Sequence, residues 1–291
     1  MIWLIGNRGM LGSDVEDLLK TRSVPYVSSD IDIDITDYKT LRDFAASKGI
    51  GWIINCSAYT AVDAAEDERD KAFSINADGA HNIARVAEDS GATLIHVSTD
   101  YVFDGEKTGP YLEDDKTNPL GAYGQSKLAG ERKIISAMDR YFIIRTAWLY
   151  GAKGNNFVRT MLRLFGERDE VRVVADQWGS PTYTKDLAEA LISAATHNST
   201  RFGIYHFTNE GRTNWHEFAM EIYSLARRSD RINREVRIIP ITTSEYPPKT
   251  RRPKNSYLSK EKIRRELGVE CRNWRKALEE FILTSPPGPL S

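Results

Sequence analysis

Residues 123–127 read Tyr-Gly-Gln-Ser-Lys, a spacing that can do proton chemistry. On a helix, positions i and i+4 share a face, so Tyr123 and Lys127 stand one above the other. A free phenol titrates near ~10 and is a poor acid or base at neutral pH. An ammonium beside it stabilises the phenolate and lowers that value. Such a phenol can give a proton to a carbonyl oxygen while hydride arrives at the carbon. The rival reading is a surface helix pair, because Tyr-x-x-x-Lys is common by chance. Val97-Ser-Thr-Asp100, two dozen residues upstream, weighs against it. That segment ends a strand-like run, and open α/β sheets bind their ligands at such ends. The Thr99 hydroxyl can hold a substrate carbonyl against the phenol. Strand-end capping is the plainer role for Ser98 and Thr99.

A hydride donor needs its own cradle. Gly6, Gly9 and Gly12 follow the apolar run 2–5 and open a helical pattern. Glycine permits the tight turn and lets backbone approach a pyrophosphate, while the helix N-terminus offers free N–H groups. A strand–helix turn that merely uses glycine is the alternative. Past the next strand comes Ser29-Asp-Ile-Asp-Ile-Asp-Ile-Thr-Asp37. A carboxylate there accepts bonds from ribose hydroxyls and repels a 2′-phosphate, whereas Arg8 in the glycine loop can pair with one. The cofactor is therefore expected to be NADPH or NADH.

Other residues fall where such a site needs them. The segment 55–60, Asn-Cys-Ser-Ala-Tyr-Thr, follows a third strand and should touch the cofactor from the far side. Trp148, just past a later strand, is either a wall for a sugar ring or core packing. Arg251 and Arg252 suit a diphosphate, or form a solvated basic loop. His81, His96, His197, His206 and His216 show no metal spacing and read as structural, and no metal site is expected. Cys56 reads as a buried reduced thiol, and with Cys271 it suggests no disulfide framework.

Periodicity supplies the elements that position these groups. Strands are expected at 2–5, 25–29, 52–56, 93–98 and 141–146, and helices at 10–20, 38–48, 71–90 and 123–137. Strands without clean alternation, separated by helices, imply a doubly wound parallel sheet covered on both faces. Residues 1–150 are the expected dinucleotide-binding domain. Residues 151–284 read as a smaller mixed α/β substrate lobe, some of whose segments can return to the first domain. Its helices are expected at 156–166, 185–195, 215–227 and within 260–283. Its strands are expected at 171–174, 205–207 and 238–241. The tail 285–291, Ser-Pro-Pro-Gly-Pro-Leu-Ser, is expected to be disordered.

The balance of 40 basic and 41 acidic residues gives a net charge of −1, so no global field steers the chain to nucleic acid or anionic lipid. No stretch approaches the ~18 apolar residues of a membrane span. A cytoplasmic protein with a small-molecule ligand, monomeric or homodimeric, is expected.

The chain resembles the extended short-chain dehydrogenase/reductases and, within them, the dTDP-4-dehydrorhamnose reductases. The resemblance spans nearly the whole sequence. It is carried by Gly6 to Gly12, the run 58–66, Ser98-Thr-Asp-Tyr-Val-Phe103, Tyr123 to Lys127 with Leu128-Ala-Gly-Glu131, Arg145-Thr-Ala-Trp148, Gly154-Asn-Asn-Phe157 and Arg251-Arg-Pro253. It implies a Rossmann-like fold, a nucleotide-sugar substrate and reduction of the C4 ketone of dTDP-4-dehydro-6-deoxy-L-mannose. It also implies roles: Tyr123 as proton donor, Lys127 as its partner, Thr99 orienting the ketone, and Asp100, Trp148 and Arg252 on the substrate. Gly6, Gly9, Met10, Leu11 and Gly12 would hold the pyrophosphate. Asp30, Asp34, Ile35, Ala58, Tyr59, Thr60 and Val97 would complete the cofactor site. Some members form a magnesium-bridged dimer through glutamates. Lys185 and Asp14 stand at matching places here, so no bridge is expected. An epimerase or dehydratase on the same scaffold, or a non-catalytic subunit like the relative that binds methionine adenosyltransferase, are the alternative readings.

Overall fold

The protein was analysed as a computed structural model that describes residues 1–196 and 199–284. The tail expected at 285–291, and His197, lie outside the described residues. β1 (Ile2–Ile5) leads through the glycine loop into α1 (Met10–Thr21), then β2 (Tyr26–Ser29), α2 (Tyr38–Ala45) and β3 (Trp52–Asn55). α3 (Arg69–Phe73) and α4 (Ala80–Ser90) precede β4 (Thr93–Thr99), and α5 (Ala122–Ala137) precedes β5 (Tyr141–Thr146). Every residue of β1 is buried, because helices cover both faces of the sheet.

Beyond β5 come α6 (Phe157–Glu167), β6 (Glu170–Val174), α7 (Thr184–Thr196), β7 (Gly203–His206), α8 (Trp215–Arg228), β8 (Arg237–Ile241), α9 (Glu261–Leu267) and α10 (Trp274–Thr284). The central sheet has the order β7-β5-β4-β3-β1-β2, and all its pairings are parallel. α1 and α7 lie together on one face, where Val15, Leu19, Leu187 and Leu191 share a core with Leu4 and Ile54. α2, α4 and α5 cover the other face through Leu41, Ile83 and Ile134. Thus α7 and β7 lie with the first half of the chain. A separate core joins α6, α8 and α10 with β6 through Phe165, Phe218, Phe281 and Val171. Among the described residues, no helix is long and apolar enough to cross a membrane.

Three departures from the periodic reading have physical causes. α2 stops at Ala45 rather than residue 48, where the chain passes into a turn, and Gly49, with a left-handed φ of 57°, returns it toward the sheet. The long helix at 71–90 is broken by a π-helical turn, Ser74–Gly79. A widened turn leaves the apolar pattern almost unchanged, so periodicity passes over it. Two pairs of short strands also escape periodicity, since each is two residues long: Leu149–Tyr150 with Thr182–Tyr183, and Trp178–Gly179 with Thr213–Asn214.

The π turn lies where α5 comes closest. A Cβ on Gly130 would fall 2.1 Å from the Asn76 carbonyl oxygen, so only glycine lets the two backbones meet. Gly130→Ala is expected to cost about 1–3 kcal/mol, as overpacked cores do. Urea unfolding with an unchanged m-value would register this as a lower midpoint, and an unchanged midpoint would contradict it.

Candidate functional site

α5 carries the central pair, and three fastenings set its position. At its start, the Ala122 N–H donates to Glu66 Oε1 at 2.8 Å. One turn in, Gly124 sits so close to Tyr101 that a Cβ would lie 2.2 Å from its carbonyl oxygen. Further along, Glu131 receives Arg145 Nε at 2.9 Å and Nη2 at 2.7 Å, and the Ser98 hydroxyl donates to the same carboxylate. Glu131 and Arg145 are 1% and 2% exposed, so β4 and β5 hold the helix through a bidentate pair nearly free of water. Asn76, in the π turn, adds a fourth tie. It accepts from Tyr59 N–H and donates to the Tyr59 carbonyl and to Ser126 Oγ, joining the loop after β3 to α5.

These fastenings bury Tyr123 and Lys127 at the C-terminal end of β4. The Tyr101 ring meets Tyr123 edge-on at 5.5 Å, and the Thr99 side chain lies beside its phenol. Burial pushes the phenol above its ordinary value, Asp100 and Tyr101 add to the rise, and Thr99 opposes it. This corrects the expectation that Lys127 lowers the phenol. The Lys127 Nζ instead donates to the Val97 carbonyl at 2.7 Å and lies 3.2 Å from His96 Nε2, so its charge is spent against β4. Lys127 is itself lowered to about 8 by burial, against the pull of Glu131 and Cys56. Beside them the Thr99 hydroxyl donates to Asp100 Oδ1 at 3.0 Å. Burial raises Asp100 to about 6, opposed by the Thr99 hydrogen bond and the neighbouring Ser256 hydroxyl.

Across the sheet edge lies a groove of about 560 Å³ lined by Gly6, Gly9, Asp30, Asp34, Ile35 and Ala58 of the expected cofactor set. Gly6 has a φ of 83°, and a Cβ on Gly12 would lie 2.0 Å from the Gly6 carbonyl oxygen. The turn and the helix therefore require glycine at both places. Gly9 caps α1 with no side-chain hydrogen bond, which leaves the first N–H groups of the helix open to an anion. The groove thus fits a dinucleotide pyrophosphate. Asp30 accepts from the Arg8 and Ile31 backbone N–H groups, and the Arg8 guanidinium remains exposed near Asp32.

The remaining cofactor candidates are placed less uniformly. Leu11 turns its side chain into the core. Met10 packs against the second half, where Asn156 Nδ2 approaches its sulfur at 3.8 Å. Thr60 is exposed beyond the groove lining, and Tyr59 packs beside Tyr123. Val97 offers its carbonyl to Lys127. Cys56 is a free, half-buried thiol on the groove wall, pushed up to about 12 by burial. Asp14 is half-buried, and burial raises its carboxyl against the Thr184 hydroxyl and the Lys185 charge.

A second groove of about 840 Å³ opens between the two halves, lined by Asp63, Phe157, Gln177, Trp215, Tyr246 and Arg252 among others. Arg252 gives its guanidinium to Asp63 at 2.6 Å and to the Tyr101 hydroxyl at 3.1 Å, while Arg251 pairs with Glu106 on the surface. Thr250 also donates to Asp63 and Val62, so the loop 246–252 is latched across the groove. Trp148 holds a left-handed φ of 49°, and its ring stacks on Trp215 at 3.6 Å, leaving one face covered.

Sequence reasoning missed Asn76, which lies in no motif.

Comparison with known proteins agrees with this geometry. The RmlD substrate binding domain model matches residues 1–285. The dTDP-4-dehydrorhamnose reductase of Aggregatibacter actinomycetemcomitans is 41% identical over 254 residues, covering 86% of each chain. The chain belongs to the dTDP-4-dehydrorhamnose reductase family. Two crystal structures of dTDP-4-dehydrorhamnose reductases superpose with TM-scores of 0.91. One, from Clostridium acetobutylicum, is 40% identical and covers 97% of this chain and 98% of its own. The other, from Bacillus anthracis and in complex with NADP, is 39% identical over 98% and 99%. Within this reductase fold, Glu131→Gln is expected to cost about 3–5 kcal/mol, because Arg145 is left buried and unpaired. Denaturant titration checks this, and a loss within error of zero would show that α5 is held elsewhere.

Proposed function

We propose that this chain reduces the C4 ketone of dTDP-4-dehydro-6-deoxy-L-mannose to dTDP-L-rhamnose with NADPH or NADH. The observation that carries the reading is the buried Tyr123 phenol in contact with Thr99 at the end of β4. A phenol kept protonated by burial is a competent proton donor once negative charge grows on a neighbouring oxygen. Thr99 and Tyr123 together would orient the ketone oxygen, as two hydroxyls on one atom. When bound, the reduced nicotinamide supplies the hydride. Gly6, Gly9 and the open end of α1 would hold its pyrophosphate, and Lys127 would hold its ribose. Arg8, exposed at the groove rim, suits a 2′-phosphate. Arg252 and Trp215 in the second groove would meet the sugar nucleotide, and Asp100 a sugar hydroxyl. The family relatives' shared name and the NADP-bound neighbour support this reading.

The deciding experiment mixes pure protein with the keto sugar nucleotide and follows NADPH and NADH absorbance separately. Consumption with a reduced dTDP-deoxysugar product is expected, and a bound cofactor without consumption would favour an epimerase or dehydratase. Tyr123→Phe should keep fold and cofactor binding while turnover drops by roughly 10²–10⁴. Undiminished turnover would remove the tyrosine from its role. Because Asp100 loses its proton at about 6, kcat/KM should fall on the acid side through that pH. In Asp100→Asn that limb should vanish from the profile, and its persistence would assign it to another group.

A further inference from the structure

Asn55, at the end of β3, has a fixed orientation. Its Oδ1 accepts from the Ser57 backbone N–H at 2.9 Å and from the Ser57 hydroxyl at 2.6 Å. A backbone N–H can only donate, so the amide oxygen must face Ser57. The amide nitrogen then faces the other way and lies 3.0 Å from His96 Nδ1. An amide N–H also only donates, so Nδ1 must be the accepting, unprotonated nitrogen. His96 is 1% exposed, and burial, with Lys127 second, holds it well below its ordinary value, so the ring is neutral. A neutral imidazole with a bare Nδ1 carries its proton on Nε2.

That Nε2–H points at Lys127 Nζ, 3.2 Å away. An ammonium there would set donor against donor. The amine presents a lone pair to Nε2–H and still donates to the Val97 carbonyl at 2.7 Å. We propose that His96, locked by Asn55 as the Nε2-protonated tautomer, is a positioning residue that donates to Lys127 Nζ and stabilises the lysine's uncharged form. The three residues form one buried line from the cofactor groove at Ser57 to the lysine on α5.

The titratable groups facing Lys127 are His96 from β4, Cys56 from the segment after β3, and Glu131 from its own helix. Glu131 and Cys56 favour the ammonium, while burial and the His96 N–H oppose it. For a reductase that needs the charged lysine beside its phenol, activity then fails at a lower alkaline pH than an exposed lysine would set. This consequence rests on the reaction proposed above; the tautomer does not.

The first test is 15N NMR of the full-length protein labelled at histidine, which needs no turnover. His96 should show a protonated Nε2 and a bare Nδ1, and a protonated Nδ1 would overturn the proposal whatever the reaction. The second is Asn55→Asp, whose carboxylate accepts from Nδ1–H and turns Nε2 into an acceptor for the ammonium. In that variant the His96 tautomer should switch, and the alkaline limb of kcat/KM should move up by about one pH unit. A folded variant whose tautomer or alkaline limb stays where it was would overturn the proposal.

Discussion

The site depends on one interaction, the carboxylate–guanidinium pair between Glu131 on α5 and Arg145 on β5. Water hardly reaches it, so its geometry is set by the two parallel hydrogen bonds rather than by solvent. It fixes the roll of α5 about its axis. Lys127 is one turn before Glu131 and Tyr123 two turns before it, so one ion pair places both. Ser98 joins the same carboxylate and so ties the helix to the strand that carries Thr99 and Asp100. Buried pairs of this kind are weak sources of net stability. Their value here is registry between one helix and two strands.

Local backbone constraints complete that registry. The close approaches at Gly124 and Gly130 bring α5 against Tyr101 and Asn76, and the π turn provides the room. π turns of this type recur at functional sites because they redirect a few side chains without ending a helix. Here the redirected residue is Asn76, which fastens the Tyr59 loop at the mouth of the cofactor groove.

Much of this was legible in the residues alone. The parallel sheet followed from uninterrupted apolar runs such as Ile2–Ile5, and the glycine loop from its place between a strand and a helix. Tyr123, Lys127 and Thr99 were singled out by spacing and by strand-end position, and all three are buried. Direction of charge was not legible. Helical spacing places Lys127 on the face of Tyr123, but it says nothing of the Val97 carbonyl and the His96 ring that engage its Nζ against the sheet. Arg252 read in sequence as a candidate for a diphosphate, whereas its engagement by Asp63, 189 residues away, is a property of the fold. The two-residue strands around Trp178 and Thr182 were invisible because two residues have no period.

Trp148 has a consequence of a different kind. A left-handed backbone in a bulky residue costs of order 1–3 kcal/mol, and glycine or asparagine would carry that φ more comfortably. Neither could replace the ring stacked on Trp215, behind which Gly179 leaves no room for a Cβ. The position is therefore caught between two demands that no common side chain meets together. Drift there has few neutral steps: a substitution that relaxes the main chain removes the ring, and any other aromatic inherits the same torsional penalty.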